Sequence, residues 1–397
     1  MKRFFAKITP CVCSFHVILL FRKSRSNGGD RVIVLRFCLN HIYGFEGFEA
    51  NFTYPKKVVD SLIGEEYLAG RERFRYKKAV VLMGANATGK TSLGRALLRV
   101  FSFIETGNQT LLTDMASMEE KAAFTLDFVN SGFVLHRLTG EIDRAQGMVI
   151  LRYLTAEISK TDSYETAARK LKDRTGEAER SPSALKKLVG PLRYRFAYPE
   201  IEGSLRLTGI NQSLMLKTLR AVIGTLDPSL TDIVIAKDLK DSFIIRRGGQ
   251  EIIIQDGKLL NREALSSGTA EGVDVAVFLA AMMARDQRFY YCDEHFSYIQ
   301  SDLEKRIFGI MMGRLGPNDQ LIFTTHNTDM LELNLPKHAF AFLRKKRERG
   351  VFRVSMVSAS DMLKRNTDSV RCAVENDVFS YLPDDSLLDE LEAEEEA

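Results

Sequence analysis

Short apolar runs bounded by turn residues dominate the hydrophobic pattern in the first part of this chain. The strand-like runs are residues 32–39, 48–54, 79–83, 122–129, 132–138 and 147–158. Asn130-Ser131-Gly132 separates two of them and predicts a hairpin. The run 79–83 precedes a helical pattern that starts at Ser92 and extends to about Phe103. This mixture predicts an α/β fold that contains an antiparallel β subdomain.

The second half of the chain continues the mixture of helix and strand. An amphipathic pattern over residues 212–226, preceded by the capping residue Asn211, predicts one helix, and residues 271–285 predict another. Further strands are predicted over residues 232–236, 242–246, 250–255, 288–294 and 320–324, with a Gly248-Gly249 turn between the second and third. No internal repeat or long heptad run is present, so coiled-coil arms are not expected.

Residues 162–195 form a helical and markedly basic pattern, which we call the basic segment. Acids are interspersed among its bases, which are Arg169, Lys170, Lys172, Arg174, Arg180, Lys186, Lys187, Arg193 and Arg195. A solvated helical face is one interpretation, and a surface for nucleic acid or a partner protein is the other. We predict a helical insertion at residues 161–204 within a discontinuous α/β domain of residues 32–160 and 205–357.

The two ends of the chain differ from the rest in composition. Residues 1–31 contain a basic start, an apolar run and a basic loop-like stretch. They lack the small-residue cleavage site of a signal peptide, and the run is short for a membrane span. We interpret them as a disordered extension or a start codon assigned too early. Residues 358–397 predict a C-terminal helix and an acidic tail, in which residues 384–397 contain eight acids and no base. Such a tail is a solvated end or, alternatively, a regulatory or partner-binding segment.

Charge and cysteine content set two limits. The net charge of +4 is too small to argue for nucleic acid by itself, although the chain without its acidic tail is near +12. The cysteines show neither metal-ligand spacing nor an even disulfide framework, which indicates a reduced compartment; they are Cys11, Cys13, Cys38, Cys292 and Cys372.

A phosphate-binding motif follows the apolar run 79–83. Its residues are Gly84-Ala85-Asn86-Ala87-Thr88-Gly89-Lys90-Thr91, and we call them the P-loop. Backbone N–H groups of such a loop, continuing to Ser92 at the start of the helix, bind phosphate. We expect Lys90 to reach the β- and γ-phosphates and Thr91 to hold Mg²⁺. The motif therefore predicts binding of a nucleoside triphosphate.

A second group of polar residues lies far downstream. Leu265-Ser266-Ser267-Gly268-Thr269, the serine–glycine loop, precedes the predicted helix 271–285 and forms another anion-binding helix start. The next predicted strand ends in Asp293-Glu294, and the one after it ends in Thr325-His326-Asn327. We expect Asp293 to hold the Mg²⁺ shell, Glu294 to polarise the attacking water and His326 to contact the γ-phosphate.

The serine–glycine loop is not expected to reach the γ-phosphate bound by its own chain. A two-fold dimer, in which each serine–glycine loop covers the nucleotide of the partner, satisfies both sites because C₂ symmetry makes the contacts reciprocal.

Three strings of residues resemble ATP-binding-cassette (ABC) ATPases of the branch shared by SMC, RecF and OLD-type proteins. They are Gly84-Ala85-Asn86-Ala87-Thr88-Gly89-Lys90-Thr91, Leu265-Ser266-Ser267-Gly268-Thr269 and Phe323-Thr324-Thr325-His326-Asn327-Thr328. They are most similar to the stand-alone "AAA family" ATPases of bacterial anti-phage systems such as Septu, PARIS and the abortive-infection L type. The resemblance covers roughly residues 32–357 and implies a P-loop NTPase fold of ABC ATPase type, with ATP and Mg²⁺ as cofactors.

The resemblance also implies roles for individual residues. Ser266 and Gly268 would contact the γ-phosphate of the partner's nucleotide, and Ser297 would lie in the loop that crosses the dimer interface. Thr269, His295 and Gln300 depart from the family pattern, and the Q-loop glutamine cannot be placed. About forty residues follow residue 357, too few for the nuclease domain of OLD-type proteins.

Three functions are compatible with these features. The first is an ATP-driven, dimeric switch in anti-phage defence whose output is a separate effector protein, such as a nuclease or toxin. The second is a RecF-like ATPase that acts on DNA, and the third is a nucleotide-binding scaffold without hydrolysis, against which Glu294 argues. An ATPase needs cytosolic nucleotide, so we expect a cytoplasmic protein without a membrane partner.

Overall fold

The computed structural model of this protein describes residues 32–57, 61–181, 183–198, 210–230, 232–236, 238–239, 241–285, 288–348, 351–365 and 368–380. The extension predicted over residues 1–31 and the acidic tail over residues 384–397 lie outside the described residues.

Eighteen strands run through the described residues. The first nine are β1 Val32–Asn40, β2 Phe48–Asn51, β3 Tyr67–Leu68, β4 Arg71–Arg75, β5 Ala79–Gly84, β6 Ala122–Asn130, β7 Val134–Asp143, β8 Met148–Glu157 and β9 Lys172–Asp173. The others are β10 Tyr194–Ala197, β11 Asp232–Ile235, β12 Ser242–Arg247, β13 Gln250–Gln255, β14 Lys258–Leu259, β15 Phe289–Asp293, β16 Gln320–Thr325, β17 Phe340–Glu348 and β18 Val351–Ser358.

Ten α-helices lie between and after these strands in the same residues. They are α1 Lys90–Thr106, α2 Thr110–Thr113, α3 Tyr164–Ala168, α4 Thr175–Ala178, α5 Ala184–Val189, α6 Gln212–Leu226, α7 Ser267–Ala284, α8 Ser301–Met312, α9 Ala359–Met362 and α10 Val370–Glu375. Short 3-10 turns occupy Arg262–Ala264, Thr328–Glu332 and Lys337–Ala339.

A central sheet with the strand order β10-β15-β16-β5-β17-β18 carries the predicted site residues. Its strands are parallel except β18, which pairs antiparallel with β17. Along β5, Val80 and Leu82 pack into one apolar cluster with α1, while Val81 and Met83 pack into another with α6 and α7. Burial on both faces explains the continuous apolar pattern of β5. Because parallel strands end at the same edge, the carboxyl ends of β15, β16 and β5 lie side by side.

A second sheet, entirely antiparallel, has the order β2-β1-β6-β7-β8-β9. The buried Gln320 of the central sheet joins it to β1: its Oε1 accepts from Val34 N at 2.8 Å, and its Nε2 donates to Val34 O at 3.0 Å and to Lys77 O at 3.1 Å. A four-stranded sheet β11-β12-β13-β14 and the pair β3-β4 complete the sheets of the described residues. The protein is therefore mixed α/β with an antiparallel β portion, as predicted.

Several predicted elements are confirmed. The helix over residues 212–226 is present as α6, and the Asn211 side chain caps it by accepting from Ser213 N. The hairpin predicted around Asn130-Ser131-Gly132 is present as β6 and β7, although β7 begins at Val134.

The basic segment is less helical than its pattern predicts. It contains three helices of five, four and six residues, α3, α4 and α5. Gly190, with φ of +79°, ends α5. The segment then enters β10, where the aromatic Tyr194 and Phe196 pair in parallel with β15. The helical prediction for residues 194–195 was therefore wrong, while the division of the chain into domains stays a prediction.

Helix α7 is unusually apolar. Its 18 residues have a mean hydropathy of 1.3, which by length and composition would suffice to cross a membrane, but 72% of this stretch is buried inside the protein. It packs against α6 in the larger apolar cluster. An amphipathic stripe is not needed in a helix that is surrounded by protein, so α7 is a core helix.

Candidate functional site

The P-loop joins the end of β5 to the start of α1, and its two glycines are required by close contacts. A Cβ at Gly84 would lie 2.6 Å from Thr88 Oγ1 and 2.9 Å from Leu343 O. Gly89 has φ of +99°, and a Cβ there would lie 2.7 Å from the Phe45 ring. The Thr88 hydroxyl donates to Ala85 O at 2.7 Å and closes the turn. The other predicted phosphate-binding residues lie in this turn and the first turn of α1; they are Asn86, Ala87, Thr91 and Ser92.

Lys90 connects the P-loop to the neighbouring strand end. Its side chain is only 4% exposed, and its Nζ lies 2.6 Å from Gly84 O, 3.1 Å from Ala85 O and 3.0 Å from Glu294 Oε1. An ammonium group has three donors, and these three acceptors match that number. The structure therefore brings two of the predicted catalytic residues, Lys90 and Glu294, into contact at one sheet edge.

Asp293 is the buried carboxylate of the site, with 1% of its surface exposed. Thr324 Oγ1 donates to its Oδ1 at 2.7 Å, and the Thr91 side chain forms a second hydrogen bond with it. Burial raises the pKa of Asp293, and the hydrogen bonds from Thr91 and Thr324 oppose that shift. The predicted metal pair, Thr91 and Asp293, is thus in direct contact.

These two residues fit Mg²⁺. The described residues contain no group of three or more His, Cys, Asp or Glu side chains arranged to hold a metal. Mg²⁺ in nucleotide sites needs only one or two protein oxygens, because substrate phosphates and water supply the remaining ligands. A hydroxyl and a carboxylate in contact, at the start of α1 and the end of β15, match that requirement.

Glu294 follows the last residue of β15 and adopts φ of +45°, which is uncommon for a residue with a side chain. Its N–H lies 3.1 Å from Thr324 Oγ1 and 3.2 Å from Thr324 O, contacts that hold this turn. The Glu294 carboxylate is 25% exposed and contacts Lys90, whereas Asp293 contacts Thr91 and Thr324. The two adjacent carboxylates therefore have different partners.

His326 follows β16, which lies between β15 and β5. The residues on both sides of it are held by the buried Glu304 of α8: Thr325 Oγ1 donates to Oε1 at 2.9 Å, and Asn327 Nδ2 donates to Oε2 at 2.6 Å. Burial raises the pKa of Glu304, and both hydrogen bonds oppose the shift. This network holds the backbone around His326, whose own side chain is exposed at the same sheet edge.

The serine–glycine loop starts α7, with Ser266 as the N-cap. Ser266 Oγ accepts from Thr269 N at 3.2 Å and lies 2.8 Å from Thr269 Oγ1. Ser266 and Ser267 are exposed. Gly268 packs so closely that a Cβ would lie 2.6 Å from Tyr298 O. Among the described residues, no hydrogen bond or ion pair joins this loop to the P-loop, so the two predicted anion sites are not brought together within one chain.

A buried acid links α7 to the loop of residues 295–300 that follows Glu294. Glu271 is 3% exposed and accepts from Ser297 N at 3.2 Å and from Tyr298 N at 2.9 Å. Burial raises the pKa of Glu271, and these two N–H groups oppose the shift. Ser297 Oγ in turn donates to Glu294 O at 3.1 Å. The helix of the serine–glycine loop and the backbone of Glu294 are therefore joined by two hydrogen-bonded steps.

The three residues that depart from the family pattern differ in their surroundings. Thr269 completes the Ser266 cap, and Gln300 is the N-cap residue of α8. His295 is 2% exposed, and burial, with a smaller contribution from Arg262, lowers its pKa to about 4, so the ring is neutral near pH 7.

Three contributors to the site were not predicted from the sequence. Thr324 bridges Asp293 and Glu294, and Glu271 holds the 295–300 loop. The buried Tyr291 hydroxyl donates to Lys90 O at 2.6 Å and anchors the start of α1. Glu271 did carry a signal, since it is one of two acids in the apolar helix α7.

No protein-family model matches the chain, and no curated protein sequence matches it. Among solved structures it is similar to the SMC head bound to the C-winged helix domain of ScpA, at 13% identity and a TM-score of 0.48, covering 83% of this chain and 99% of that one. The SMC head domain from Thermotoga maritima has 15% identity and a TM-score of 0.39, covering 82% and 98%. The recombination mediator RecF has 9% identity and a TM-score of 0.39, covering 81% and 98%. Similarity at this level carries no functional argument, so the assignment depends on the site residues.

Proposed function

We propose that this protein binds and hydrolyses ATP as an ABC-type ATPase. One observation carries the proposal: Lys90 of the P-loop contacts Glu294 at 3.0 Å, beside the contact between Thr91 and Asp293. A phosphate-binding lysine, a hydroxyl–carboxylate pair suited to Mg²⁺ and a partly exposed carboxylate are the groups that phosphoryl transfer to water requires.

The chemistry divides among these residues. Lys90 and the backbone N–H groups of the P-loop bind the β- and γ-phosphates. Mg²⁺, held by Thr91 and Asp293, supplies charge neutralisation when it is bound. Glu294 orients a water molecule and accepts its proton as the water oxygen bonds to the γ-phosphorus. The bond from the γ-phosphorus to the bridging oxygen breaks, leaving ADP and inorganic phosphate.

The contact between Lys90 and Glu294 adds a control step. The γ-phosphate needs the Lys90 ammonium, whose donors face Gly84 O, Ala85 O and the Glu294 carboxylate. Phosphate binding therefore competes with Glu294 for Lys90 and makes the carboxylate available to water. His326, exposed next to these groups, is placed to contact the γ-phosphate.

The active form in this proposal is a two-fold dimer. Ser266 and Ser267 are exposed at the start of an 18-residue helix, and the described residues show no contact between them and the P-loop of the same chain. A second copy would place its Ser266, Ser267 and Gly268 over the nucleotide, and C₂ symmetry completes both sites together.

The biological role follows from the motif resemblance alone. It favours a cytoplasmic, nucleotide-switched regulator of anti-phage defence that acts through a separate effector such as a nuclease or toxin. A RecF-like ATPase acting on DNA is the second candidate, and the consecutive exposed cations Lys345, Lys346 and Arg347 favour it.

Phosphate release is the direct test of the enzyme. The purified protein should release phosphate from ATP with Mg²⁺ and stop when the metal is chelated, and absence of release at any protein concentration would contradict the proposal. An effector that co-purifies with a hydrolysis-deficient variant would support the regulator, whereas ATP-dependent DNA binding without such a protein would support the RecF-like role.

A further inference from the structure

Strands β17 and β18 extend beyond the central sheet as a two-stranded ribbon. They pair with each other as far as Glu348 and Val351, but β17 pairs with β5 only over residues 340–343. Residues 344–347 and 352–355 therefore project past the end of β5. We call these residues the basic hairpin.

Three consecutive cations of the basic hairpin form no ion pair with any other residue that the structure describes. Lys345, Lys346 and Arg347 are exposed, and no ion pair among the described residues includes them. The flanking bases differ, since Arg344 donates to Ser355 Oγ at 2.9 Å and Arg353 contacts Glu46 at 3.0 Å. The hairpin thus presents a concentrated positive charge to solvent.

An exposed aromatic ring lies between two of these cations. Phe352 is 55% exposed, with Lys345 Nζ 5.2 Å and Arg347 Cζ 5.8 Å from its ring centroid. Lys345 and Arg347 lie on one face of the strand, roughly 7 Å apart. Phe352 also lines a cavity of about 590 Å³ whose walls include Tyr43 and Arg144. Cation, ring and cation therefore alternate beside an open cavity.

We propose that the basic hairpin binds single-stranded nucleic acid. Lys345 and Arg347, which contact the Phe352 ring, would neutralise phosphates of the strand, and Phe352 would stack on an unpaired base beside the cavity. The exposed ring favours a single strand over a duplex, because the faces of bases in a duplex are already stacked on their neighbours. An acidic protein would use the cations but would have no need of a flat exposed ring between them. This inference is independent of ATP hydrolysis.

The basic segment is a weaker site for the same ligand. Lys170 is paired with Asp162 at 2.7 Å and Arg174 with Glu177, while Arg195 is 8% exposed. Its remaining bases are spread over three short helices and the turns between them. The structure therefore favours the hairpin over the segment that the sequence pattern singled out.

The first experiment removes equal charge from the two surfaces. Binding of a fluorescent oligothymidylate is measured by anisotropy over a salt series for the intact protein, for Lys345→Gln/Lys346→Gln/Arg347→Gln and for the matched Lys186→Gln/Lys187→Gln/Arg193→Gln. The hairpin triple variant should bind at least about tenfold more weakly at low salt, with a salt slope smaller by roughly 1.4 units for two lost phosphate contacts. The matched variant should stay close to the intact protein.

The second experiment tests the ring. Phe352→Ala should weaken oligothymidylate binding by about fivefold or more, while Phe352→Tyr should retain it, because stacking needs only the aromatic face. The melting temperature reports that both variants are folded, and their ATP affinity should be unchanged.

Four results would overturn the proposal. The first is that the intact protein does not bind oligothymidylate at low salt, and the second is that the two triple variants lose equal affinity for it. The third is that the hairpin binds a duplex more tightly than the single strand. The fourth is that Phe352→Ala loses affinity for ATP but not for the oligonucleotide. The last would assign the cavity to the base of the nucleotide substrate.

Discussion

The P-loop edge of the central sheet and the serine–glycine loop are both helix starts suited to phosphate, but their surroundings differ. At the first, Lys90 is 4% exposed and Asp293 is 1% exposed, and strand ends from one sheet supply their partners. At the second, Ser266 and Ser267 are exposed, and the Ser266 side chain contacts only its own helix start among the described residues.

This difference indicates what each region can do alone. The P-loop edge brings Lys90, the proposed metal pair and the proposed catalytic carboxylate together within one chain, so nucleotide binding should need no partner. The serine–glycine loop presents Ser266 and Ser267 to solvent, and none of the described residues links it to the P-loop. It can contribute to hydrolysis only when a second phosphate site approaches it. The variants described below test that division.

Lys90→Ala should have the largest effect. Removing the ammonium leaves the bound β- and γ-phosphates without their counter-charge in a partly desolvated site, so ATP affinity should fall by roughly a hundredfold or more. Isothermal titration calorimetry on the variant and on Lys187→Ala, an exposed lysine on α5, would measure it. Undiminished affinity in Lys90→Ala would mean that the P-loop edge is not a nucleotide site.

Glu294→Gln should separate binding from turnover at the same edge. The amide keeps the size of the side chain but cannot accept the proton of water, so turnover should fall by about a hundredfold or more. ATP affinity should be equal or higher, because the carboxylate no longer competes for Lys90. Phosphate release and calorimetry together measure the split, with the exposed Asp302→Asn as control. Equal losses in binding and turnover would contradict the assigned role.

Ser266→Arg should act only through the partner. Turnover should fall by roughly tenfold or more because bulk and charge obstruct the facing nucleotide, while ATP binding by the isolated chain should be unchanged. The substitution also removes the N-cap of α7, which costs about 1 kcal/mol of stability. Ser266→Ala has the same capping loss without the bulk and is the matched control. Light scattering of the Glu294→Gln protein with ATP should show a dimer, and adding Ser266→Arg to that protein should prevent it. If Ser266→Arg alone retained full turnover, a composite site would be excluded.

The P-loop edge could be predicted from sequence because its chemistry is local. Gly84, Gly89 and Lys90 stand in one short motif between an apolar run and a helical pattern, and that order determines the turn. Asp293 and Glu294 end a strand, and parallel strands bring their ends to one edge whatever the intervening chain does. These contacts depend on few long-range details.

Other contacts could not be predicted because they depend on tertiary packing. Glu271 and Ser297 are 26 residues apart and meet only because α7 packs beside the strand that ends at Asp293. The hairpin cations were overlooked for a related reason: a run of bases shows its charge in sequence but not that Lys345 and Arg347 flank an exposed ring. The basic segment shows the opposite case, since two of its bases, Lys170 and Arg174, pair with acids of the same segment.

Glu271→Gln should have the smallest effect and tests the link between the two regions. The carboxylate accepts two N–H groups, from Ser297 and Tyr298, but an amide has one acceptor oxygen and would turn its NH₂ group toward the other donor. Loss of one charge-assisted hydrogen bond is worth about 1.5–3 kcal/mol, and part of it should appear as a roughly tenfold fall in turnover because the backbone of Glu294 is no longer held through Ser297. ATP affinity should be unchanged, since Glu271 contacts neither Lys90 nor Thr91.

A purely structural residue would lower the melting temperature without separating turnover from affinity. The Asp319→Asn variant is the matched control: it also replaces a buried acid that accepts two hydrogen bonds, but it lies before the start of β16, at the opposite end of that strand from His326. If Glu271→Gln melts earlier yet turns over at the full rate at a temperature where it is folded, then the serine–glycine loop and Glu294 are not coupled through this residue.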